Sequence, residues 1–227
     1  MTSPSNSLSV YREGRLKRER KNTMITIIDY NAGNIRSVLR ACAETGAKAA
    51  TTSDPKVVVK AEKIIFPGVG AAPSAMGFLQ EMGLDTALKN AFKAGIPILG
   101  ICLGAQIALE SSEEGPQKCL GLMPGKTVRF KLKDKSLKIP HMGWNEVKVV
   151  KAHPLLDGIK PGDEFYFVHS FYPQPSSKEN IYTVADYGGD FCCALGYKNL
   201  FATQFHPEKS GRLGLELLGR FVKWEGR

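Results

Sequence analysis

Short apolar segments alternate with longer amphipathic segments from Met24 onward, and this alternation restricts the fold more than any other feature of the 227-residue chain. The apolar segments predict buried strands at residues 25–29, 63–66 and 96–101. The segments between them predict helices at residues 35–45, ended by Gly46, and at residues 75–94, interrupted at Gly83. Strands and helices in alternation form βαβ units. The first half therefore predicts a parallel sheet with helices on both faces.

The second half has a different pattern, in which short strands follow one another closely and are separated by Gly, Pro, Asp and Asn. Strands are predicted at residues 126–131, 144–150, 165–170, 181–187, 192–197 and 200–205, and a helix at residues 213–224. Such close spacing favours antiparallel pairing. The predicted fold is α/β, with a mostly parallel central sheet flanked by helices and antiparallel strands added to it in the C-terminal half.

The chain is basic, with a formal net charge of +9, and +4 of this lies in residues 1–23. This segment is rich in Ser and charge and lacks hydrophobic periodicity, so we expect a flexible tail before one domain at residues 24–227. The sequence has no apolar run of the roughly 20 residues that cross a membrane and no secretory signal pattern. These features predict a cytoplasmic protein that binds neither membranes nor nucleic acid.

Five cysteines occur in the sequence, but their spacing matches neither a disulfide framework nor a zinc site. Cys102 differs from the others because it lies in Gly-Ile-Cys-Leu-Gly, between a buried strand and a segment that predicts an amphipathic helix through Glu110. Small residues two positions either side permit a nucleophile elbow, a tight turn that exposes the thiol. The start of a helix also favours the thiolate form. We therefore predict that Cys102 is a nucleophile, and that Cys42, Cys119, Cys192 and Cys193 are inert.

His206 is the best candidate base, because it ends an apolar strand and is followed by Pro207 and Glu208. Proline keeps the preceding residue extended, so the side chains of His206 and Glu208 should point the same way. The carboxylate could then orient the imidazole. Cys102, His206 and Glu208 together form a predicted catalytic triad for acyl transfer.

A glycine-rich loop, Pro-Gly-Val-Gly at residues 67–70, follows a parallel strand and should lie at the same sheet edge as Cys102. One interpretation is an oxyanion hole formed by the N–H groups of Val69 and Leu103. The alternative is an ordinary glycine-rich turn. The residues alone leave both open.

The segments PGVG at 67–70, GICLG at 100–104 and HPE at 206–208 resemble those of the class I, triad-type glutamine amidotransferases. Within that class, the segments DYNAGN at 29–34, PHMGW at 140–144, FYFVHS at 165–170 and HPEKS at 206–210 look like the glutaminase subunits of imidazole glycerol phosphate synthases. The resemblance covers residues 24–227 and implies a flavodoxin-like fold.

This resemblance implies that Cys102 attacks the side-chain amide of glutamine and releases ammonia through a thioester, without a metal or cofactor. The family positions for holding glutamine correspond to Gly70, Gln106, His169, Ser170 and Phe171. Ammonia would pass through a channel to a separate cyclase subunit with a (β/α)₈ barrel fold, in a heterodimer that serves histidine biosynthesis. The family positions at the interface with this partner correspond to Asn34, His141, Met142, Gly143, Trp144, Tyr166 and Lys209.

Several alternatives remain open at this level. Trp144 and Tyr166 lie in strand-like segments and could simply pack in the core. The chain could be another class I amidotransferase or a flavodoxin-like cysteine hydrolase. Its basic charge could also indicate a nucleic-acid-binding protein with residues 1–23 as an arm, although only charge supports that hypothesis.

Overall fold

The computed structural model describes residues 23–31 and 34–227. The predicted tail therefore lies outside the described residues, apart from Thr23. The strands are β1 Met24–Ile28, β2 Lys48–Thr52, β3 Lys63–Gly68, β4 Ile98–Cys102, β5 Ser111–Ser112, β6 Gln117–Lys118, β7 Gly125–Arg129, β8 His141–Glu146, β9 Lys148–Val149, β10 Glu164–His169, β11 Phe171–Pro175, β12 Ile181–Asp186, β13 Asp190–Tyr197 and β14 Leu200–Thr203.

The helices are α1 Ile35–Glu44, α2 Pro55–Val58, α3 Ala72–Glu81, α4 Leu84–Lys93, α5 Leu103–Ile107 and α6 Gly211–Lys223. Short 3₁₀ turns lie at Pro154–Leu156, Lys178–Asn180 and Pro207–Lys209. The predicted break at Gly83 separates α3 from α4, and Gly83 has a φ of 68°, which glycine adopts readily. In the described parts of the chain no helix is both long enough and apolar enough to span a membrane.

The central sheet has eight strands in the order β2-β1-β3-β4-β14-β13-β12-β9. The first five are parallel and the last three are antiparallel, so the predicted mostly parallel sheet is confirmed. After β2 the chain crosses back over β1 once and adds β3, β4 and β14 on the other side, as in doubly wound sheets. Ligands of such sheets bind at the carboxyl ends of the strands. Gly68 and Cys102 are paired at that edge.

Among the strands of the described residues, only β9, β12 and β13 are antiparallel additions to the central sheet. The prediction is wrong for β7, β8 and β10, which were expected to join it. Instead, β8 pairs with β10, and β7 lies in a separate sheet of order β11-β7-β5-β6. The central sheet ends at β9, a strand of two residues that offers little edge for further pairing.

The core lies on both faces of the central sheet. One apolar cluster contains Ile64, Phe66 and Cys192, and the other contains Ile65, Phe201 and Cys193. The neighbouring cysteines thus point to opposite faces, as the alternation of an extended strand requires. Cys42, in α1, is a buried member of the second cluster. Burial raises the pKa values of Cys42 and Cys119 to about 11, so these thiols stay protonated.

Candidate active site

Cys102 lies at a tight turn between β4 and α5, with a φ of 54° and a ψ of −107°. This conformation is rare for a residue with a Cβ atom and occurs where a site holds strain. The glycines beside it are required by close packing. A Cβ on Gly104 would lie 2.0 Å from the carbonyl oxygen of Phe66, and one on Gly100 would lie 3.0 Å from the Cβ of Ala202. The predicted strand–turn–helix geometry is therefore present.

The helix after this turn differs from the prediction of an amphipathic helix through Glu110. Helix α5 has only five residues, Leu103–Ile107, and all of them are buried. It ends early because the backbone N–H groups of Leu120 and Leu122 donate to the carbonyls of Ile107 and Ala108. The short helix is thus enclosed by the chain that follows it.

His206 follows β14 in an extended conformation, with a φ of −99° and a ψ of 95°. Its Nδ1 lies 2.7 Å from Oε1 of Glu208, and the two side chains are only 2% and 3% exposed. The expected contact is therefore formed, although Glu208 reaches it from a 3₁₀ turn rather than from a continued strand. Glu208 accepts a hydrogen bond from the Nδ1–H group, so Nε2 is the ring nitrogen that can exchange a proton with the reacting groups.

Electrostatic effects at His206 oppose one another. Burial disfavours the imidazolium, but the charge and proximity of Cys102 and the contact with Glu208 outweigh burial and raise the pKa of His206 to about 10. Its Nε2 is buried and has no hydrogen-bond partner among the described residues. The raised pKa favours an imidazolium at His206, with a proton available for transfer.

A cavity of about 250 Å³ opens beside Cys102. Its lining includes every predicted oxyanion and glutamine-binding residue: Val69, Gly70, Leu103, Gln106, His169, Ser170 and Phe171. Gly70 has a φ of 95°, which explains the glycine at the end of the PGVG loop. The structure thus brings together residues from several separate segments. Their individual roles remain predictions.

Two functional candidates were missed by the sequence reasoning. Glu114 lines the cavity, where its Oε2 accepts from the backbone N–H of Ala72 at the start of α3. Gln204 is completely buried, and its Nε2 lies 3.6 Å from the sulfur of Cys102. A signal for Gln204 was present in the sequence, as a polar residue in an apolar strand two positions before His206.

His169 and His141 form a buried chain of hydrogen bonds behind the cavity. The Nδ1 of His169 lies 2.8 Å from the carbonyl oxygen of Phe171, which only accepts, so Nδ1 carries the proton. The Nε2 of His169 then accepts from Nδ1 of His141 at 3.0 Å, and Asn145 lies 3.3 Å from the other nitrogen of His141. Burial lowers the pKa of His169 to about 3 and that of His141 to about 4. Both rings are neutral, and both nitrogens of His169 are occupied.

The predicted interface residues range from exposed to buried, and Gly143, Tyr166 and Lys209 are half-buried. Met142 is 62% exposed and Trp144 is 53% exposed, so the core-packing alternative is wrong for Trp144. The Trp144 and Tyr166 rings lie 6.2 Å apart, and the ammonium group of Lys209 lies 5.6 Å from the Tyr166 ring. Asn34 is exposed and caps α1, with Oδ1 accepting from the Ser37 N–H. His141, by contrast, is buried and supports this surface from below.

Within the described residues, no group of three or more His, Cys, Asp or Glu side chains could hold a metal ion.

Comparison with known proteins agrees with this geometry. The sequence model of the family described as "Glutamine amidotransferase class-I" matches residues 26–223. The imidazole glycerol phosphate synthase subunit HisH of Dehalococcoides mccartyi is 48% identical over 88% of this chain and 97% of its own length. The subunit HisH of Desulfovibrio desulfuricans is 50% identical over 88% of this chain and 94% of its own.

Solved structures support the fold alone, because their sequences are distant. The structure of PurLQS from Thermotoga maritima has a TM-score of 0.67 and 18% identity, covering 88% of this chain and 98% of that one. A glutamine amidotransferase from the same organism has a TM-score of 0.58 and 15% identity, covering 85% and 79%. The flavodoxin-like fold is thus confirmed. By its family match and its near full-length relatives, this chain belongs to the class-I glutamine amidotransferases.

Proposed function

We propose that this chain is the glutaminase subunit of an imidazole glycerol phosphate synthase and supplies ammonia for histidine biosynthesis. The observation that carries this proposal is the cavity beside Cys102, with the buried His206–Glu208 pair behind the nucleophile. Two subunits of that synthase are 48% and 50% identical to this chain over nearly their full length, which favours this function over those of other class-I glutamine amidotransferases. Glutamine would be hydrolysed to glutamate and ammonia.

In the first half of the reaction, the Cys102 thiolate attacks the carboxamide carbon of glutamine. Negative charge develops on the carboxamide oxygen, where we assign the N–H groups of Val69 and Leu103 as donors. The His206 imidazolium gives its proton to the amide nitrogen, the carbon–nitrogen bond breaks, and ammonia leaves. A γ-glutamyl thioester on Cys102 remains, and His206 is neutral.

In the second half, water attacks the thioester. Neutral His206 accepts a proton from this water through Nε2 while Glu208 holds Nδ1. The carbon–sulfur bond then breaks, glutamate leaves, and the thiolate–imidazolium pair is restored. One His206 side chain thus acts first as an acid and then as a base.

The cavity offers polar groups suited to the amino-acid end of glutamine. We assign Gly70, Gln106, Ser170 and Phe171 to binding it, and we add the carboxylate of Glu114 as a partner for the α-ammonium group. Our assignment of His169 is indirect, since its two ring nitrogens are occupied. It would shape the cavity by fixing the Phe171 carbonyl.

Ammonia is mostly protonated in neutral water and is then no nucleophile, so a second site must receive it directly. We propose that a separate cyclase subunit with a (β/α)₈ barrel fold does so, because the similar HisH proteins are themselves named as subunits of imidazole glycerol phosphate synthase. We define the docking surface as Asn34, Met142, Gly143, Trp144, Tyr166 and Lys209. Its support is the exposure of Trp144, the edge-to-face contact of its ring with Tyr166, and the Lys209 ammonium group over the Tyr166 ring.

We further propose one catalytic domain at residues 24–227 acting in the cytoplasm. The family match over residues 26–223 supports the first of these proposals. All five cysteines are unpaired, which suits a reducing compartment.

The test is a glutaminase assay of the full chain, alone and with a candidate cyclase and its nucleotide ligand. We expect slow hydrolysis alone and strong activation by the loaded cyclase. A glutamine-analogue electrophile such as diazo-oxonorleucine should label Cys102, and glutamine should protect it. Full activity in Cys102→Ala, or equally fast hydrolysis without the cyclase, would argue against the proposal.

A further inference from the structure

Gln204 occupies a completely buried position beside Cys102 and Gln106, outside the lining of the cavity. Its backbone N–H donates to the carbonyl of Cys193 at 2.8 Å, which fixes the residue at the end of β14. Its side chain then contacts two residues of the site. The Oε1 atom lies 3.0 Å from Nε2 of Gln106, and the Nε2 atom lies 3.6 Å from the sulfur of Cys102.

The orientation of the Gln204 amide follows from the Phe171 carbonyl. That oxygen can only accept hydrogen bonds, and Gln106 lies 2.9 Å from it, so the nitrogen of Gln106 must face Phe171. The same nitrogen faces Gln204. Gln204 must therefore present its oxygen to Gln106, and its nitrogen is left facing Cys102.

An N–H group aimed at sulfur stabilises the thiolate more than the neutral thiol, because hydrogen bonds to charged acceptors are the stronger ones. His206 cannot provide this stabilisation alone, since its proton goes to the leaving ammonia. The side-chain amide of Gln204 transfers no proton during the reaction. It can donate to sulfur in the resting enzyme and again when sulfur leaves the thioester.

We propose that Gln204 is a catalytic residue whose side-chain N–H donates to the sulfur of Cys102, and that Gln106 and the Phe171 carbonyl fix its orientation. The importance of this contact for turnover rests on the proposed function. The contact itself does not, because it acts on the thiolate before any substrate binds. In the alternative, Gln204 only fills the core and satisfies Gln106.

The experiment compares Gln204→Met and Gln204→Leu in the full chain, where methionine keeps the length of glutamine without a donor. The readout is the rate at which iodoacetamide alkylates Cys102 in the absence of glutamine, measured by peptide mass spectrometry from about pH 4 to about pH 10. The ratio compared between variants is the rate at one pH on the acidic limb of the wild-type profile, where the rate rises about tenfold per pH unit, divided by the rate at about pH 10. Dividing the rates cancels differences in access, because access affects both rates equally. Urea unfolding identifies which variants are folded.

We expect the ratio of the rates to fall roughly tenfold in both variants, the effect of losing one hydrogen bond to a charged group. Gln106→Leu should lower the ratio less, and it should have no further effect in the Gln204→Met background because, without glutamine, Gln106 influences the sulfur only through Gln204. Gln80→Leu, on the exposed surface of α3, is the matched control and should match the wild type.

A folded Gln204 variant with the wild-type ratio would overturn the proposal, as would additive effects of the two glutamines. Glutaminase assays with the cyclase separate this result from the proposed function. A chain that hydrolyses no glutamine but shows the expected alkylation ratios would refute the proposed function and leave the Gln204–Cys102 contact supported.

Discussion

At the scale of single residues, the backbone conformation of Cys102 costs stability, whereas its thiol is needed for activity. Its φ of 54° and ψ of −107° strain any residue with a Cβ atom by about 1–3 kcal/mol. Glycine avoids this strain but loses about 0.5–1 kcal/mol of chain entropy on folding. We therefore expect Cys102→Gly to unfold with a free energy about 1 kcal/mol above that of Cys102→Ala.

Urea denaturation of the two variants measures this difference, and neither variant should hydrolyse glutamine. The alanine variant is the control because it also lacks the thiol but keeps the strain. Equal stability of the two would show that the turn relaxes without its nucleophile.

The pair of His206 and Glu208 makes stability depend on pH. The pKa of His206 is raised to about 10 because Cys102 and Glu208 outweigh the effect of burial. A folded-state pKa above the ordinary value of 6.5 stabilises the fold fully below that value, and the contribution is lost as the pH rises through about 10. We expect Glu208→Gln to lower the free energy of unfolding more near pH 6 than near pH 10.5.

Urea unfolding of the wild type and Glu208→Gln at both pH values provides the measurement. Glu164→Gln, at an exposed position of β10, is the control and should show little change with pH. An equal loss of unfolding free energy at both pH values would mean that the contribution of the Glu208 carboxylate to stability does not depend on the charge of His206.

The triad was readable from the sequence because each member lies in a short motif whose local geometry is predictable. Gln204 and Glu114 were missed, since their importance arises from contacts between segments that are distant in the sequence. Gln204 meets Cys102 only when β14 lies beside β4. Glu114 reaches the cavity only through the chain that folds back after α5. Their roles depend on tertiary structure rather than on spacing.

At the scale of elements, the contact between α5 and β3 holds the catalytic turn in place. A Cβ on Gly104 would lie 2.0 Å from the carbonyl oxygen of Phe66, and backbone cannot move aside cheaply. We expect Gly104→Ala to lower the free energy of unfolding by about 2–3 kcal/mol and to reduce glutaminase activity by displacing Cys102.

Gly77→Ala in α3 is the matched control, because a Cβ there meets nothing within 4 Å. Alanine favours a helix by about 0.8–1 kcal/mol over glycine, so this variant should be more stable than the wild type. Thermal unfolding measures the stability of both variants, and glutaminase assays measure their activity. A fully active, stable Gly104→Ala variant would contradict the tight packing.

Elements with strong apolar periodicity were predicted with small boundary errors, whereas weakly patterned strands were missed. Strand β2 has the sequence Lys-Ala-Ala-Thr-Thr and lies half-exposed at the sheet edge, so no apolar run marks it. Strand β11 contains Pro173 and Pro175, which argue against a strand, yet it lies at the edge of its small sheet where proline is tolerated. In both cases strand pairing overrides the local sequence.

At the scale of the whole molecule, the docking surface should govern assembly without governing the fold. Trp144 is 53% exposed, so Trp144→Ala should leave the melting temperature of the isolated chain nearly unchanged. An aromatic residue of an interface commonly contributes more than about 1 kcal/mol to binding. We expect affinity for the cyclase to fall roughly 10- to 100-fold.

Isothermal titration calorimetry with the cyclase measures this loss. Val57→Ala removes apolar surface from an exposed position in α2 and is the control, with no expected change in affinity. Undiminished binding by Trp144→Ala would place the partner on another face.

The strained turn at Cys102 also bears on how such chains diverge. Only the need for a thiol justifies a residue with a Cβ atom in that conformation. In a descendant that kept the fold but lost the chemistry, selection would no longer oppose substitution there, and glycine would be the residue that the backbone itself favours. A glycine in place of the cysteine between the two glycines of this motif would therefore indicate a relative that has lost the activity. The sequence alone would show this loss.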